Sequence, residues 1–257
     1  MAESFKTRLA RGDLLRVFAL GRVVHPVVVD LFGMVGGFDG FWLDHEHGGV
    51  STQDIVLAST CARANGFDCF VRVPPIGYWQ VTQALEAGAG GVMGAQIHSA
   101  EHARQFLSWT KFSPAGTRGL NSGGFDAQYT IKPLAQFAAD ANRDGLVAIQ
   151  IETLGALQDA YEIASLDGVD VLFVGPADLS LALGIVAQFD SPKLWEAIAQ
   201  VQQACERHGK TWGTVVPNPQ YAAKSVEYGC RMLTMGSDVL CLRRGIEAVR
   251  ETFAAYF

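Results

Sequence analysis

Charge is scarce in this sequence. Only 18% of its 257 residues are Asp, Glu, Lys or Arg, against 49% apolar ones, a balance richer in core and poorer in solvated face than an average soluble domain. Faces buried between subunits are therefore expected. Cations are scarcer than anions, 20 against 26, for a net charge of -6. Without a run of Lys or Arg there is no electrostatic footprint for a phosphate backbone, which excludes nucleic acid as a partner. Long apolar runs are also missing. The opening Met-Ala-Glu-Ser-Phe-Lys mixes both signs of charge where a signal peptide needs an apolar stretch, and nothing later approaches a membrane span. The expectation is a cytoplasmic protein with no membrane partner. Cysteines are few and odd in number, at Cys61, Cys69, Cys205, Cys230 and Cys241, with no CxxC pair. Four lie in apolar stretches, and all five read as reduced core residues.

What the chain does have is a regular alternation. Short β-branched or aromatic runs are followed by longer segments of helical period, the pattern of parallel strands joined by crossover helices. Strands are expected near 14–19, 40–45, 68–73, 91–96, 146–152, 170–175, 211–216 and 231–236. Helical segments are expected over 51–65, 78–87, 100–108, 154–165, 192–208, 219–228 and 239–257. Ser51 and Ser191 stand where small polar side chains cap free first-turn amides. No Pro- or Ser-rich linker divides the chain, so residues 1–257 read as one (β/α)8 barrel domain, for which the length is ordinary. The longest irregular stretch, SPAGTRGLNSGGFDAQY over 113–129, is long enough to suggest a lid or an interface.

In such barrels the chemistry sits at the C-terminal ends of the strands. Polar residues that cut short an apolar run are therefore the candidates. They are the cluster Asp44-His45-Glu46-His47, Arg72, Gln150 with Glu152, and Gly175-Pro176-Ala177-Asp178. Glu152 and Asp178 lie 26 residues apart, one strand-helix-strand unit. Adjacent strands are about 4.8 Å apart, so two carboxylates at one level can reach a single cation. An all-oxygen pair suits Mg²⁺ or Mn²⁺ better than zinc. The plainer alternative makes Asp178 a helix cap and Glu152 a solvated strand end. The helix start at Ala177 and Asp178 offers free amides to an anion, and Arg72 offers charge to an enolate or, alternatively, a salt bridge to a neighbouring strand. In the DHEH cluster, His45 and His47 share one side of an extended backbone, and Asp44 and Glu46 the other. An HxH pair alone suggests a zinc hydrolase, but His25, His98, His102 and His208 do not complete a ligand set.

Taken together, these motifs resemble the HpcH/HpaI family of class II 2-keto acid aldolases. The matching segments are FDGFWLDHEHGG (38–49), FVRVPP (70–75), ALEAGAGGV (84–92), SPAGTRG (113–119), VAIQIET (147–153) and GVDVLFVGPADLSLALG (168–184). The resemblance runs in order over about residues 12 to 250. It implies Glu152 and Asp178 as metal ligands for Mg²⁺ or Mn²⁺, with Co²⁺ a further option, and the amides of Ala177 and Asp178 as a carboxylate seat. Arg72 is similar to the family's enolate-stabilising arginine, Gln150 to its pocket glutamine, and His47 to its catalytic histidine, whose acidic partner matches Glu86. It also implies a homohexamer, a trimer of dimers that exchange their last helix. The chain departs from the family at Ile76-Gly77-Tyr78-Trp79 and at GAQIHSAEHA (94–103), near the pocket rim.

The reaction so implied is reversible aldol cleavage of a 4-hydroxy-2-oxo acid to an aldehyde and pyruvate, or a related 2-oxo acid such as hydroxypyruvate, through a metal-stabilised enolate. His47 moves the proton of the aldol hydroxyl. A Schiff-base aldolase needs a lysine at the barrel mouth. Of the six lysines, Lys6, Lys111, Lys132, Lys193, Lys210 and Lys224, none ends an expected strand. Two other readings are a CoA-thioester lyase, disfavoured by the short acidic chain, and a non-catalytic barrel that binds a keto acid.

Overall fold

The computed structural model describes residues 3–257. Eight parallel strands, Leu15–Leu20 (β1), Gly40–Asp44 (β2), Asp68–Val73 (β3), Gly91–Gly94 (β4), Leu146–Ile151 (β5), Val171–Val174 (β6), Thr211–Val215 (β7) and Met232–Ser237 (β8), close into a barrel in sequence order. Each end lies within two residues of the expected run. The helices are Phe5–Ala10 (α1), Pro26–Val35 (α2), Thr52–Ala64 (α3), Tyr78–Glu86 (α4), Ala100–Thr110 (α5), Leu134–Asp144 (α6), Leu154–Gln158 (α7), Ala160–Ser165 (α8), Pro176–Ala182 (α9), Pro192–His208 (α10), Pro219–Glu227 (α11) and Asp238–Thr252 (α12). The expected helix over 154–165 is two, broken at Asp159, whose carboxylate accepts from the Ala100 amide at 2.8 Å. The α2 helix was hidden by its Val-Val-Val run, a strand-like composition. Pro26 in its first turn and the His25 side chain, which accepts from the Val27 amide, start it as a helix.

Side chains alternate across each strand, and this sorts the core into two layers. Leu15, Val17, Trp42, Phe70, Met93, Leu146, Ala148, Val171, Phe173 and Met232 fill the barrel. Phe41, Leu43, Val71, Val73, Ile149, Ile151, Leu172 and Val174 face outward under the helices. Trp42 stacks on Phe70 and meets Phe173 edge-on, at ring separations of 6.2 and 5.7 Å. The face where strands begin is closed by α1, whose Phe5 and Leu9 join the inner layer. The Phe5 amide is tied to Asp68 at 2.7 Å. Gly40 is required beneath it, since a Cβ there would lie 2.5 Å from the Phe5 ring and against the Asp68 carbonyl.

The long loop after α5 lies on this same closed face, because α5 carries the chain away from the strand C-termini. It is not a lid over them. Its Arg118 is buried within the chain, paired with Asp126 and lying 4.6 Å over the Phe112 ring, so it is not an exposed interface residue either. Cysteine burial is also less uniform than expected: Cys69, Cys205 and Cys230 are buried, Cys61 is half-buried and Cys241 is exposed on α12. Among the described residues no helix is long and apolar enough to cross a membrane.

Phe5 is fully buried and belongs to no catalytic motif. Phe5→Ala should cost about 3–5 kcal/mol, read as a lower denaturant midpoint. An unchanged midpoint would show that α1 does not stopper the barrel.

Candidate functional site

The inward parity that places Trp42, Phe70, Ala148 and Phe173 in the barrel also points the next inward residues of those strands, Asp44, Arg72, Gln150 and Gly175, at the mouth. Arg72 is buried there. Its Nε and Nη2 donate to Asp44 at 3.0 and 2.8 Å, Nη1 lies 3.1 Å from Glu46, and the guanidinium sits 4.6 Å over the Trp42 ring. Asp44 also accepts from the amides of Glu46 and His47 at 3.1 and 3.3 Å, which turns the chain at the end of β2. Burial opposes charge on Asp44, but the Arg72 guanidinium prevails and holds its carboxyl below the usual range.

Glu152, just past β5, is only 2% exposed. One of its oxygens accepts from the Gln96 amide at 2.7 Å and the Gln96 side chain at 3.1 Å; the other accepts from the Gln150 side chain. Gln96 achieves this double contact from the left-handed region, at φ 47°, a conformation that costs on the order of 1–3 kcal/mol. Across from it stands Gly175, where a Cβ would come within 2.8 Å of both the Gln150 nitrogen and a Glu152 oxygen. The bare backbone at the end of β6 is what gives these two side chains room. Burial, reinforced by the like charges of Glu46 and Asp178, pushes the Glu152 carboxyl up to about 7. Asp178 and Ala177 are exposed in the first turn of α9, whose start has no side-chain cap.

The structure thus gathers Arg72, Gln150, Glu152, Ala177 and Asp178 at one end of the barrel. It gives Asp44 and Glu46, candidates without an assigned role in the sequence, the task of holding Arg72, and it adds Gln96, which sequence reasoning did not select. The parity of the DHEH cluster already placed Asp44 and Glu46 together, whereas the Gln96 contact depends on one left-handed residue that no pattern announces. His47 lies at the rim with its side chain 66% exposed, its Nε2 3.5 Å from Glu46. Glu86 is elsewhere: it ends α4, on the closed face, and accepts from Asn121 at 3.0 Å. The expected His47–Glu86 pair is not formed within the chain, because α4 runs the full height of the barrel between the mouth and Glu86. Arg72 in turn realises the salt-bridge alternative, although it faces the mouth while doing so.

Among the described residues no three or more His, Cys, Asp and Glu side chains converge as a metal site. The surroundings of Glu152 nevertheless fit a divalent cation. The carboxylates of Glu46 and Asp178 both act on Glu152, with Arg72 as the cation opposing them. Gln150 Oε1 is a buried acceptor without a donor, and such groups are rare unless something else satisfies them.

Fold and mouth define a barrel with a carboxylate-rich strand-end site, and comparison gives the class. The chain belongs to the HpcH/HpaI aldolase/citrate lyase family, whose sequence model matches residues 24–244. It is 34% identical to the 4-hydroxy-4-methyl-2-oxoglutarate aldolase of Hapsidospora irregularis, over 80% of this chain and 77% of that one. It is 30% identical to the hydroxypyruvate/pyruvate aldolase of Agrobacterium fabrum, over 79% and 76%. The crystal structure of an HpcH/HpaI aldolase from Desulfitobacterium hafniense superimposes with a TM-score of 0.89 at 29% identity, covering 97% of this chain and 98% of that one. The family resemblance and the barrel read from the sequence are borne out.

The raised Glu152 carboxyl has a signed effect on stability. An acid harder to ionise when folded than when unfolded contributes no penalty below about pH 4.5, its ordinary value, and the full penalty above about pH 7. Glu152→Gln should therefore stabilise the metal-free protein at pH 8 by up to about 3 kcal/mol and leave it unchanged at pH 4. The buried Gln150 carbonyl becomes a partner for the new amide. Equal destabilisation at both pH values would show that the carboxylate is already well compensated by its neighbours.

Proposed function

We propose that this chain is a divalent-metal-dependent aldolase that cleaves a 4-hydroxy-2-oxo acid to an aldehyde and pyruvate, or a related 2-oxo acid such as hydroxypyruvate. The observation that carries the reading is the buried Glu152 carboxylate, held at the mouth by Gln96 and Gln150 and facing Asp178 beside an uncapped helix start. The names of the two relatives support it. Glu152 and Asp178 would hold Mg²⁺ or Mn²⁺, with Co²⁺ as a substitute. Such a cation supplies Lewis-acid polarisation of the 2-oxo group.

The chain's own groups do the rest. The first-turn amides of Ala177 and Asp178 receive the substrate carboxylate. Arg72, immobilised by Asp44 and Glu46, presents fixed positive charge where the enolate oxygen develops. His47 takes the proton of the 4-hydroxyl as the C3–C4 bond breaks and its electron pair passes to the enolate. Return of a proton to C3 completes the 2-oxo acid. Gln150 holds Glu152 in place. A Schiff-base route has no support, since none of the six lysines lies on a strand.

Two phenotypes should separate these roles. His47→Ala should keep cation binding by calorimetry yet lose about 10²–10⁴-fold in aldol turnover. Glu152→Ala and Asp178→Ala should lose cation binding and turnover together, and chelator should abolish wild-type activity until Mg²⁺ or Mn²⁺ is restored. Full activity after exhaustive chelation would sink the assignment.

The assembly we propose is a homohexamer, a trimer of dimers exchanging α12. Along α12 only Asp238 is buried, while Val239, Leu242, Ile246 and Val249 are each at least half exposed. A cavity of about 680 Å³ separates α12 from α2 of its own chain. Single chains rarely leave so much contiguous apolar surface in water. The free cysteines fit a reducing compartment such as the cytoplasm. Light scattering should give six chains per particle, and Leu242→Asp with Ile246→Asp should release smaller species. A wild-type monomer at working concentration would overturn the proposal.

A further inference from the structure

The closed face of the barrel contains a cavity that the aldol reaction does not use. It measures about 320 Å³ and lies between the starts of β4 and β5, the end of α5, the 112–133 loop and α6. This is within the usual range of small-molecule sites. Its walls are apolar at Leu85, Val92, Phe125 and Ala141, but two buried cations, Lys111 and Arg118, are set among them.

Neither cation is fully satisfied. Lys111 is 4% exposed, and its ammonium donates to two neutral carbonyls, of Asn142 at 3.0 Å and Gly145 at 3.3 Å. An ammonium has three donors, so one is left over. No described carboxylate pairs with it: of the anions on that side, Asp167 and Asp170, neither reaches it within ion-pair distance, and Asp170 is bound by Lys6 at 3.1 Å. Burial and the neighbouring Lys6 push the Lys111 amine down to about 8, as expected for a cation short of a counter-charge. Arg118 has its side chain 2% exposed. One of its Nη atoms is taken by Asp126, but its Nε is buried with no acceptor. The other acids on the wall are engaged away from these two groups, Asp140 by Lys132 and Arg143, Asp144 by Arg143. Unpartnered buried donors of this kind cost free energy unless an acceptor reaches them.

We propose that this cavity is a binding site for a small monocarboxylate with a short apolar chain. The carboxylate would accept from Lys111 Nζ and Arg118 Nε, and the chain would lie against Leu85, Val92 and Ala141. The site is separate from the mouth and does not depend on the aldolase reading.

Butyrate is the probe, applied to the whole protein. Calorimetry should find one butyrate per chain at the closed face, and at tenfold its Kd the melting temperature should rise by about 3 °C. Glu152→Gln, which alters the mouth, should retain this response. Lys111→Met should lose it, and so should Ala141→Leu, which fills the cavity and keeps both cations. Having two variants guards against one of them failing to fold. Inorganic phosphate should bind at least tenfold more weakly. The proposal is overturned if butyrate does not saturate, if its effect survives Ala141→Leu, or if it disappears in Glu152→Gln, which would place the probe at the mouth. Phosphate binding as tight as butyrate would overturn the apolar-chain assignment.

Discussion

Burying a carboxylate among other carboxylates is the constraint around which the mouth of this barrel is arranged. Like charges in a poorly solvated place resist ionisation, and the chain spends several devices on keeping Glu152 there. Gln96 adopts a left-handed backbone to reach it, Gln150 donates from two residues before it, and Gly175 stays bare to make room. Arg72 is fixed by Asp44 and Glu46, so its charge is aimed and not free to collapse onto Glu152. The arrangement is unfavourable for a chain on its own and favourable for one that meets a cation, the balance expected where stability has been yielded to function.

Much of this was legible because a strand has a period of two. The polar residues that end the expected runs mark the mouth, and the strand period explains why: the last inward residue of each strand falls there. Arg72, Gln150 and Glu152 follow from that rule. Glu86 shows where the rule stops. It matched a motif, but a motif gives no height along a helix, and the final turn of α4 lies on the face away from the mouth. Gln96 was illegible for a different reason, since its contact depends on a single backbone angle. Likewise the 113–129 loop was long enough to suggest function, but only the direction of α5 decides which face it covers. The helices α1 and α9 are short, α6 starts without a side-chain cap, and α2 carries the composition of a strand, so tertiary packing determines them more than local preference does.

The two faces divide the work of the fold. Loops after the strands carry charge that is strained or poorly compensated, while the face before them carries α1, the Arg118–Asp126 pair and the aromatic cluster of Phe112 and Phe137. Buried polar groups on both faces are set by the same rule, that a donor or acceptor removed from water requires a partner. At the mouth the Gln150 Oε1 acceptor is left without a donor; in the closed-face cavity Lys111 and Arg118 have donors left over. These two places are separated by the packed layers around Trp42, Phe70 and Phe173.

The plug formed by Phe5 and Leu9 makes the barrel a cul-de-sac. Reactant, product, water and protons share one opening, and nothing can be drawn through from below. On the proposed reading this doorway would order traffic: the aldehyde half, at the rim beside the exposed His47, would depart while the 2-oxo acid half still lay deeper against the buried Arg72 and Glu152. In the synthetic direction the proposed queue would reverse, with the keto acid entering first and the aldehyde arriving above it.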